Sequence, residues 1–197
     1  MNNTNSIPPL IAGIRAATDD DVARLCCYYL ARFDEKARAG IPAVLPLLNR
    51  DKCRTTAFYT LGHMHAAEAF RPAMAALNES RELVRLRAAQ ALGKIGDRRA
   101  TSALLQKLDD EMYDVRYAAE DALVKFGQPS RAPLRDAYRR ATPRAKPHIL
   151  EALAKLGDET ALTLASEYYR NDNPLVRAAV MKSLTVALTT ATDPSAK

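Results

Sequence analysis

The sequence contains no tryptophan, few aromatic residues and only three cysteines among its 197 residues. Cys26, Cys27 and Cys53 include no pair separated by two residues, and their odd number is unlike a disulfide framework or a zinc-binding motif. A reducing compartment suits such a chain. We therefore expect a cytoplasmic protein without structural disulfides and without a bound metal.

Motifs for catalysis and for membrane insertion are missing as well. The seven glycines form no phosphate-binding loop, and His63 and His65 stand two residues apart, which would point them to different faces of a helix. No apolar run approaches the roughly 18–20 residues that a membrane helix needs. These absences predict a protein that is not an enzyme, binds no cofactor and does not enter a membrane.

A regular leucine spacing is the clearest positive feature of the chain. Leu30, Leu61, Leu92, Leu123, Leu153 and Leu184 are separated by 31, 31, 31, 30 and 31 residues. A period of this length predicts an array of small supersecondary units that stack on one another. We therefore predict one domain over residues 1–197, ordered over about 7–188 and ending in a polar tail at 189–197.

The third repeat shows the expected unit. Residues 84–95 place apolar side chains on one side of a helix, Gly96 can end that helix, and Asp97 can cap a second helix over 98–108. The first repeat fits less well, with Val22, Cys26 and Leu30 in the core-facing positions and a second helix over 41–48. The whole pattern predicts an all-α fold with about six helical hairpins and roughly twelve helices.

The residues of this repeat resemble a known family. The third repeat reads Val-Arg at 84–85, Ala-Ala at 88–89 and Ala-Leu-Gly-Lys-Ile-Gly-Asp at 91–97, which is similar to the short HEAT-like repeat that also occurs in phycobilin lyases. The resemblance implies an α-solenoid, or superhelix, in which the second helices line the concave face. Repeats of this class mostly mediate protein–protein binding.

One basic residue stands near the start of most first helices. The set consists of Arg54, Arg85, Arg116 and Arg177, with Lys146 at the matching place in the fifth repeat. One interpretation is a track that binds phosphates or acids. The other, which we favour, is a structural ladder in which each arginine pairs with acidic residues of a neighbouring repeat.

A second basic set is the candidate partner-binding site. Arg131, Arg135 and Arg139 are spaced by four residues and would form one stripe on the second helix of the fourth repeat. This helix is α9 in the structure described below, and we call the three arginines the α9 cations. Arg99 and Lys107 lie one repeat earlier, and Tyr169 is a candidate interface anchor because Tyr and Arg often anchor interfaces. A solvated helix face is the alternative interpretation of this stripe.

These patterns lead to one functional prediction with two alternatives. The net charge of +6 and the α9 cations predict a scaffold or adaptor that binds an acidic protein through a concave, partly basic surface. By resemblance alone, a phycobilin lyase-like protein or a chaperone of bilin proteins is an alternative. Nucleic-acid binding is a further, less favoured alternative, because acidic residues occur in most repeats.

Overall fold

The computed structural model describes residues 4–169 and residue 185, and these residues form helices joined by short turns. The described residues contain no β-strand, which confirms the all-α prediction. No helix in this part of the chain is both long enough and apolar enough to cross a bilayer. The α-helices are α1 (Ile7–Ala16), α2 (Asp20–Leu30), α3 (Ile41–Val44), α4 (Arg54–His63), α5 (Phe70–Ala76), α6 (Glu82–Ile95), α7 (Thr101–Lys107), α8 (Tyr113–Lys125), α9 (Arg131–Tyr138), α10 (Lys146–Lys155) and α11 (Thr160–Tyr169).

The chain divides into two compact units, Met1–Ala100 and Thr101–Lys197. In the first unit, α2 packs against α4 and α4 packs against α6, while α1 and α5 pack against α2 and α6. In the second unit, α8 packs against α10, and α7, α9 and α11 pack against these two helices. Within each unit, the first helices of successive repeats therefore lie side by side, as the repeat pattern predicts.

The periodic leucines form the centre of the core in both units. Leu30, Leu61 and Leu92 are fully buried in the first unit, and Leu123 and Leu153 are fully buried in the second. Leu184 lies outside the described residues. Alanines at neighbouring positions are buried as well, which lets the helices approach closely. The leucine period therefore marks the side chains that each hairpin buries against its neighbours.

The predicted helix ends are also found. Gly96 adopts a left-handed conformation with φ 77° directly after α6, which an L side chain would adopt only with strain. Asp97 Oδ1 then accepts a hydrogen bond of 3.0 Å from the Arg99 backbone N–H. Asp158 repeats this arrangement after α10, where its Oδ1 accepts a 3.0 Å bond from the Thr160 backbone N–H. The turn at Asp158 joins α10 to α11, which pack against each other within the second unit.

The first repeat departs from the prediction. The helix expected over 41–48 is split into α3 and a 3-10 segment at Leu45–Asn49, because Pro46 has no N–H to donate to the carbonyl four residues earlier. A further 3-10 segment at Ala31–Gly40 contains Asp34 in a positive-φ conformation. Val22, which we expected in the core, is half exposed on α2.

The counts and boundaries predicted for the whole array stay open. The predicted totals of about six repeats and roughly twelve helices are not confirmed. The repeat that the leucine period predicts around Leu184 and the predicted tail at 189–197 fall on residues of which the structure describes only residue 185. The single domain over residues 1–197 also stays a prediction.

The three thiols differ in burial, and this difference predicts their reactivity. Cys27 and Cys53 are buried, whereas Cys26 is half-buried. The prediction that Cys26 faces the core is therefore wrong in part. Burial raises the pKa of Cys27 to about 12, and burial together with the nearby Asp20 carboxylate raises the pKa of Cys53. Since the thiolate is the reactive form, we expect a maleimide at neutral pH to label Cys26 at least about tenfold faster than the other two.

Mass spectrometry of the native protein during labelling measures these rates. The Cys26→Ser variant is the control, and it should lack the fast phase. Labelling of Cys27 at the rate of Cys26 would contradict the observed burial.

Candidate functional site

Two of the α9 cations are held by the turn between α10 and α11. Arg131 donates hydrogen bonds to the backbone carbonyls of Leu156 and Gly157, the second at 3.0 Å. Arg135 donates from Nε to the carboxylate of Asp158 at 3.0 Å, and its Nη2 lies 2.8 Å from the same oxygen. These two guanidinium groups therefore fasten α9 to the next hairpin.

Asp158 is the centre of this attachment. Its side chain is buried, and it accepts hydrogen bonds from both the backbone N–H and the hydroxyl of Thr160. Burial alone would raise the pKa of Asp158, but the hydrogen bonds from Thr160 and Arg135 outweigh burial, so the pKa lies below its usual value. The ionised carboxylate thus caps α11 and binds Arg135 at the same time.

The following cations are placed differently. Arg139 and Arg140 are exposed just beyond the last residue of α9, and neither guanidinium group has a polar or charged partner within residues 4–169. Arg144 is also exposed, with one long hydrogen bond of 3.4 Å to the Asp109 carbonyl. The sequence from 139 to 149 contains no acidic residue. We call Arg139 and Arg140 the exposed pair, because both guanidinium groups are exposed and have no partner within the described residues.

Tyr138, the residue directly before the exposed pair, packs against a second aromatic ring. Tyr138 and Tyr168 are buried and pack edge to face, with ring centroids 6.3 Å apart. The ammonium group of Lys146 lies 5.3 Å from the centroid of Tyr138 and 5.4 Å from that of Tyr168. Lys146 is therefore positioned by cation–π contacts rather than by an acidic partner.

The other predicted site residues lie elsewhere. Arg99 belongs to the first unit, where it pairs with Asp97 and lies over the ring of Phe70 at 4.7 Å. Lys107 is the partly exposed last residue of α7 in the second unit. Tyr169 ends α11, and its side chain lies outside the described residues. A common surface formed by these residues and the α9 cations stays a prediction.

A buried ionic cluster between α8 and α10 was not predicted. Glu120 is fully buried on α8, and its two oxygens lie 2.7 Å from His148 Nδ1 and 2.8 Å from Lys155 Nζ. Arg116 donates from Nε to His148 Nε2 at 3.3 Å, which makes that nitrogen an acceptor and assigns the ring proton to Nδ1. His148 Nδ1 then donates to the Glu120 carboxylate.

Lys155 is the charged partner of this cluster. Its Nζ also lies 3.0 Å from Glu151 and 5.4 Å from the ring centroid of Tyr117. Burial alone would lower the pKa of Lys155, but the carboxylates of Glu120 and Glu151 raise it above its usual value. One signal in the sequence could have revealed the cluster, because Glu120 occupies the repeat position at which the earlier repeats have the apolar residues Cys27, Phe58 and Ala89.

A family model for HEAT repeats matches residues 52–124 and 101–185. These two overlapping stretches cover more than half of the sequence. The chain belongs to the HEAT repeat family. No curated protein sequence matches this HEAT repeat chain at a significant level.

Several solved structures have the same fold as this HEAT repeat chain. The complex of CpcE and CpcF of phycocyanin lyase from Nostoc sp. PCC7120 has a TM-score of 0.62 at 19% identity, over 92% of this chain and 76% of that one. A designed armadillo repeat protein in complex with the peptide (KR)4 has a TM-score of 0.57 at 16% identity, over 92% and 99%. An engineered protein from a structural genomics consortium has 0.59 at 16%, over 96% and 98%. At these identities the likeness shows the fold alone.

The arginines of the predicted ladder make one recurrent contact in this HEAT repeat chain. Arg85 donates to the carbonyls of Glu79 and Ser80 at 2.9 and 2.8 Å, and Arg116 donates to the carbonyls of Asp110 and Glu111 at 2.8 and 3.0 Å. The carbonyl acceptors thus lie five and six residues before each arginine.

Arg54 follows the same pattern and adds one carboxylate. Its Nε donates to the Leu48 carbonyl at 2.7 Å, and its Nη1 donates to Glu79 at 2.8 Å. The expected pairing with a carboxylate of a neighbouring repeat is thus seen at Arg54, whereas Arg85 and Arg116 donate to loop carbonyls, and the ladder as a whole stays a prediction. Arg177 lies outside the described residues.

Removal of Lys155 tests whether the buried cluster stabilises the second unit. The Lys155→Met variant leaves Glu120 buried with only His148, and we expect it to lower the free energy of unfolding by about 2 kcal/mol or more. Lys125→Met is the matched control, because Lys125 pairs with Asp121 on the exposed side of α8, and we expect a change below about 1 kcal/mol. Urea unfolding followed by circular dichroism measures both, and equal losses would contradict the role of burial.

The ladder arginines allow a similar test of their two interpretations. The Arg85→Met variant leaves two carbonyls without their charged donor, and we expect a loss of about 2 kcal/mol in unfolding free energy. Arg81→Met, which removes the more exposed pair with Asp51, should cost below about 1 kcal/mol. Unchanged stability of Arg85→Met, together with weaker binding of polyphosphate, would favour the anion track instead.

Proposed function

We propose that this HEAT repeat protein is a scaffold that binds an acidic protein partner through its second unit. The observation that carries the proposal is the exposed pair, Arg139 and Arg140, whose guanidinium groups have no partner within residues 4–169. Arg144 and Lys146 follow them in a stretch without an acidic residue. A local excess of positive charge of this kind attracts acidic surfaces and raises the rate of encounter.

The fold supports a protein partner. HEAT repeats present a long surface that is built from successive hairpins, and such surfaces bind proteins and peptides. Two of the similar structures contain such partners, since one is the CpcE–CpcF complex and one holds the peptide (KR)4. The preformed helices would lose little conformational freedom on docking, which reduces the cost of binding.

The finer parts of the proposal follow from the repeat class. The array forms an α-solenoid, the second helices α7, α9 and α11 line its concave face, and the exposed pair lies at the end of one of them. The protein acts in the cytoplasm by binding alone, without catalysis and without a cofactor. Tyr169, at the end of α11, is the aromatic residue that would accompany the exposed pair in the interface.

Two other ligands remain as alternatives with distinct signatures. An anionic bilin could also bind the exposed pair through its carboxylates, as in a phycobilin lyase-like protein or a bilin-protein chaperone, and a shift in bilin absorbance on mixing would reveal it. A nucleic acid would bind through its phosphates, and its affinity would fall steeply between low and high salt.

Charge reversal of the exposed pair tests the proposed site. The probe is a fluorescein-labelled polyglutamate peptide, and binding is followed by fluorescence anisotropy. We expect the Arg139→Glu, Arg140→Glu double variant to bind the peptide at least about tenfold more weakly than the wild type, because both attractive charges become repulsive. Arg135 is left unchanged, since its reversal would also break the bond to Asp158.

The matched control has the same net charge. Arg38 and Arg71 are exposed in the first unit, and Arg38→Glu with Arg71→Glu should change peptide affinity by less than about threefold. Equal losses in the two double variants would contradict a local site and indicate attraction by net charge. Tighter binding of a DNA duplex than of the peptide, lost in the exposed-pair variant, would favour the nucleic-acid alternative.

A further inference from the structure

The loop between α9 and α10 differs from the equivalent loops of the earlier repeats. It spans residues 139–145, whereas the loops before α6 and α8 span residues 77–81 and 108–112. Pro147 has no N–H to close an α-helical turn with the carbonyl four residues earlier, so α10 begins only at Lys146. The fifth repeat is therefore joined to the fourth by a longer segment that lies outside the α-helices.

The earlier loops are bridged by the ladder arginines. Arg85 and Arg116 each donate to the two carbonyls that stand five and six residues before them. At the same distances before Lys146 stand the carbonyls of Ala141 and Arg140. Lys146 does not bridge them, because its ammonium group lies against two tyrosine rings and makes no hydrogen bond to a described residue. The Arg140–Ala141 bond thus lacks the bridge that holds the equivalent bonds.

The groups around this bond match what an arginine-selective protease recognises. The exposed pair forms its N-terminal side, and both guanidinium groups lack a partner in residues 4–169. A protease of trypsin-like specificity binds an arginine side chain with a carboxylate at the base of its pocket. It also binds the carbonyl of the bond that it cleaves through N–H groups, so this carbonyl must be accessible. Arg140 offers both groups.

Few contacts oppose the opening of this loop. A protease binds its substrate in an extended conformation, so the residues around the bond must leave the folded structure locally. The Ala141 N–H donates to the Tyr138 carbonyl at 3.3 Å, and the Thr142 hydroxyl donates to Asp109 at the surface. Loops with few buried contacts are the segments of a protein that open and are cleaved most readily.

We propose that the Arg140–Ala141 peptide bond is a processing site for a protease that selects arginine. Hydrolysis adds one water across the amide bond and leaves a carboxylate on Arg140 and an amino group on Ala141. The cut divides the chain between the fourth and fifth repeats. The site is independent of the acidic partner proposed above, because the protease recognises the loop of the free protein.

Contacts across the cut would hold the two fragments together. Glu120 of α8 contacts His148 and Lys155 of α10 from its buried position. Arg135 of α9 pairs with Asp158 beyond the end of α10. Hydrolysis in the loop breaks none of these contacts. The cleaved protein would therefore keep its fold while the fourth and fifth repeats lose their covalent link.

Limited digestion of the full chain with trypsin, followed by mass spectrometry, tests the site. Within residues 4–169 we expect the first cut to give a fragment that begins at Ala141. The Lys146→Arg variant restores the ladder arginine with the same charge, and Pro147 prevents cleavage after this position in either protein. We expect this variant to slow the cut after Arg140 at least about fivefold, because a guanidinium group can bridge the two carbonyls.

The matched control makes the same replacement away from the loop. Lys125→Arg on the exposed side of α8 should leave the rate unchanged. Arg139→Gln with Arg140→Gln should remove the cut, and it serves as the second variant should circular dichroism show that Lys146→Arg loses helicity. A first cut elsewhere within residues 4–169, or equal rates for the wild type and a folded Lys146→Arg variant, would overturn the proposal.

Size-exclusion chromatography of the cleaved protein tests the contacts across the cut. We expect one species that contains both fragments and elutes with the intact protein. Separation of the fragments without denaturant would overturn the inference that the cleaved protein keeps its fold.

Discussion

Each helix in this protein has an apolar side that only its neighbours can cover, and this constraint organises the structure. A single hairpin is too small to bury its own leucine, so Leu61 is enclosed by helices of the adjacent repeats. Small residues let these helices approach closely, as at Gly62 and Ala91. The same constraint explains why the charged residues divide into those that serve the stacking and those that face solvent.

Several arginines with defined partners stabilise the packing of the helices rather than face a partner. Arg85 and Arg116 donate to the carbonyls of the turn before their own helix, and Arg131 and Arg135 fasten α9 to the following hairpin. These carbonyls at the ends of short helices lack partners in the helix itself, and a guanidinium group can bind two of them at once. The net charge of the chain therefore overstates the charge that a partner can contact.

Features that depend only on residue type and on spacing along the sequence could be predicted. The leucine period, the end of α6 at Gly96 and the cap at Asp97 follow from residue type and spacing, and the structure shows all three. The pairing of Arg135 with Asp158 was not predictable, because it joins residues from different hairpins. The spacing of the α9 cations predicts a stripe on one helix, but spacing alone does not show which guanidinium groups already have partners.

Val22 shows a different limit of the same reasoning. It occupies a core position of the repeat, and the later residues at this position are buried, yet Val22 is half exposed. The repeat pattern describes each helical hairpin as if it had a neighbouring hairpin on both sides. At the first helix of the layer one neighbour is missing from the described residues, so a residue that fits the pattern is left uncovered.

The buried carboxylate of Glu120 limits how the array can change in evolution. Repeat proteins commonly gain and lose internal units by duplication and deletion, since interchangeable neighbours present equivalent surfaces. Glu120 breaks this equivalence, because the helix that covers it must supply His148 and Lys155. Excision of that repeat would remove both partners of the buried Glu120 carboxylate, which is strongly destabilising. The fourth and fifth repeats are therefore expected to be inherited together.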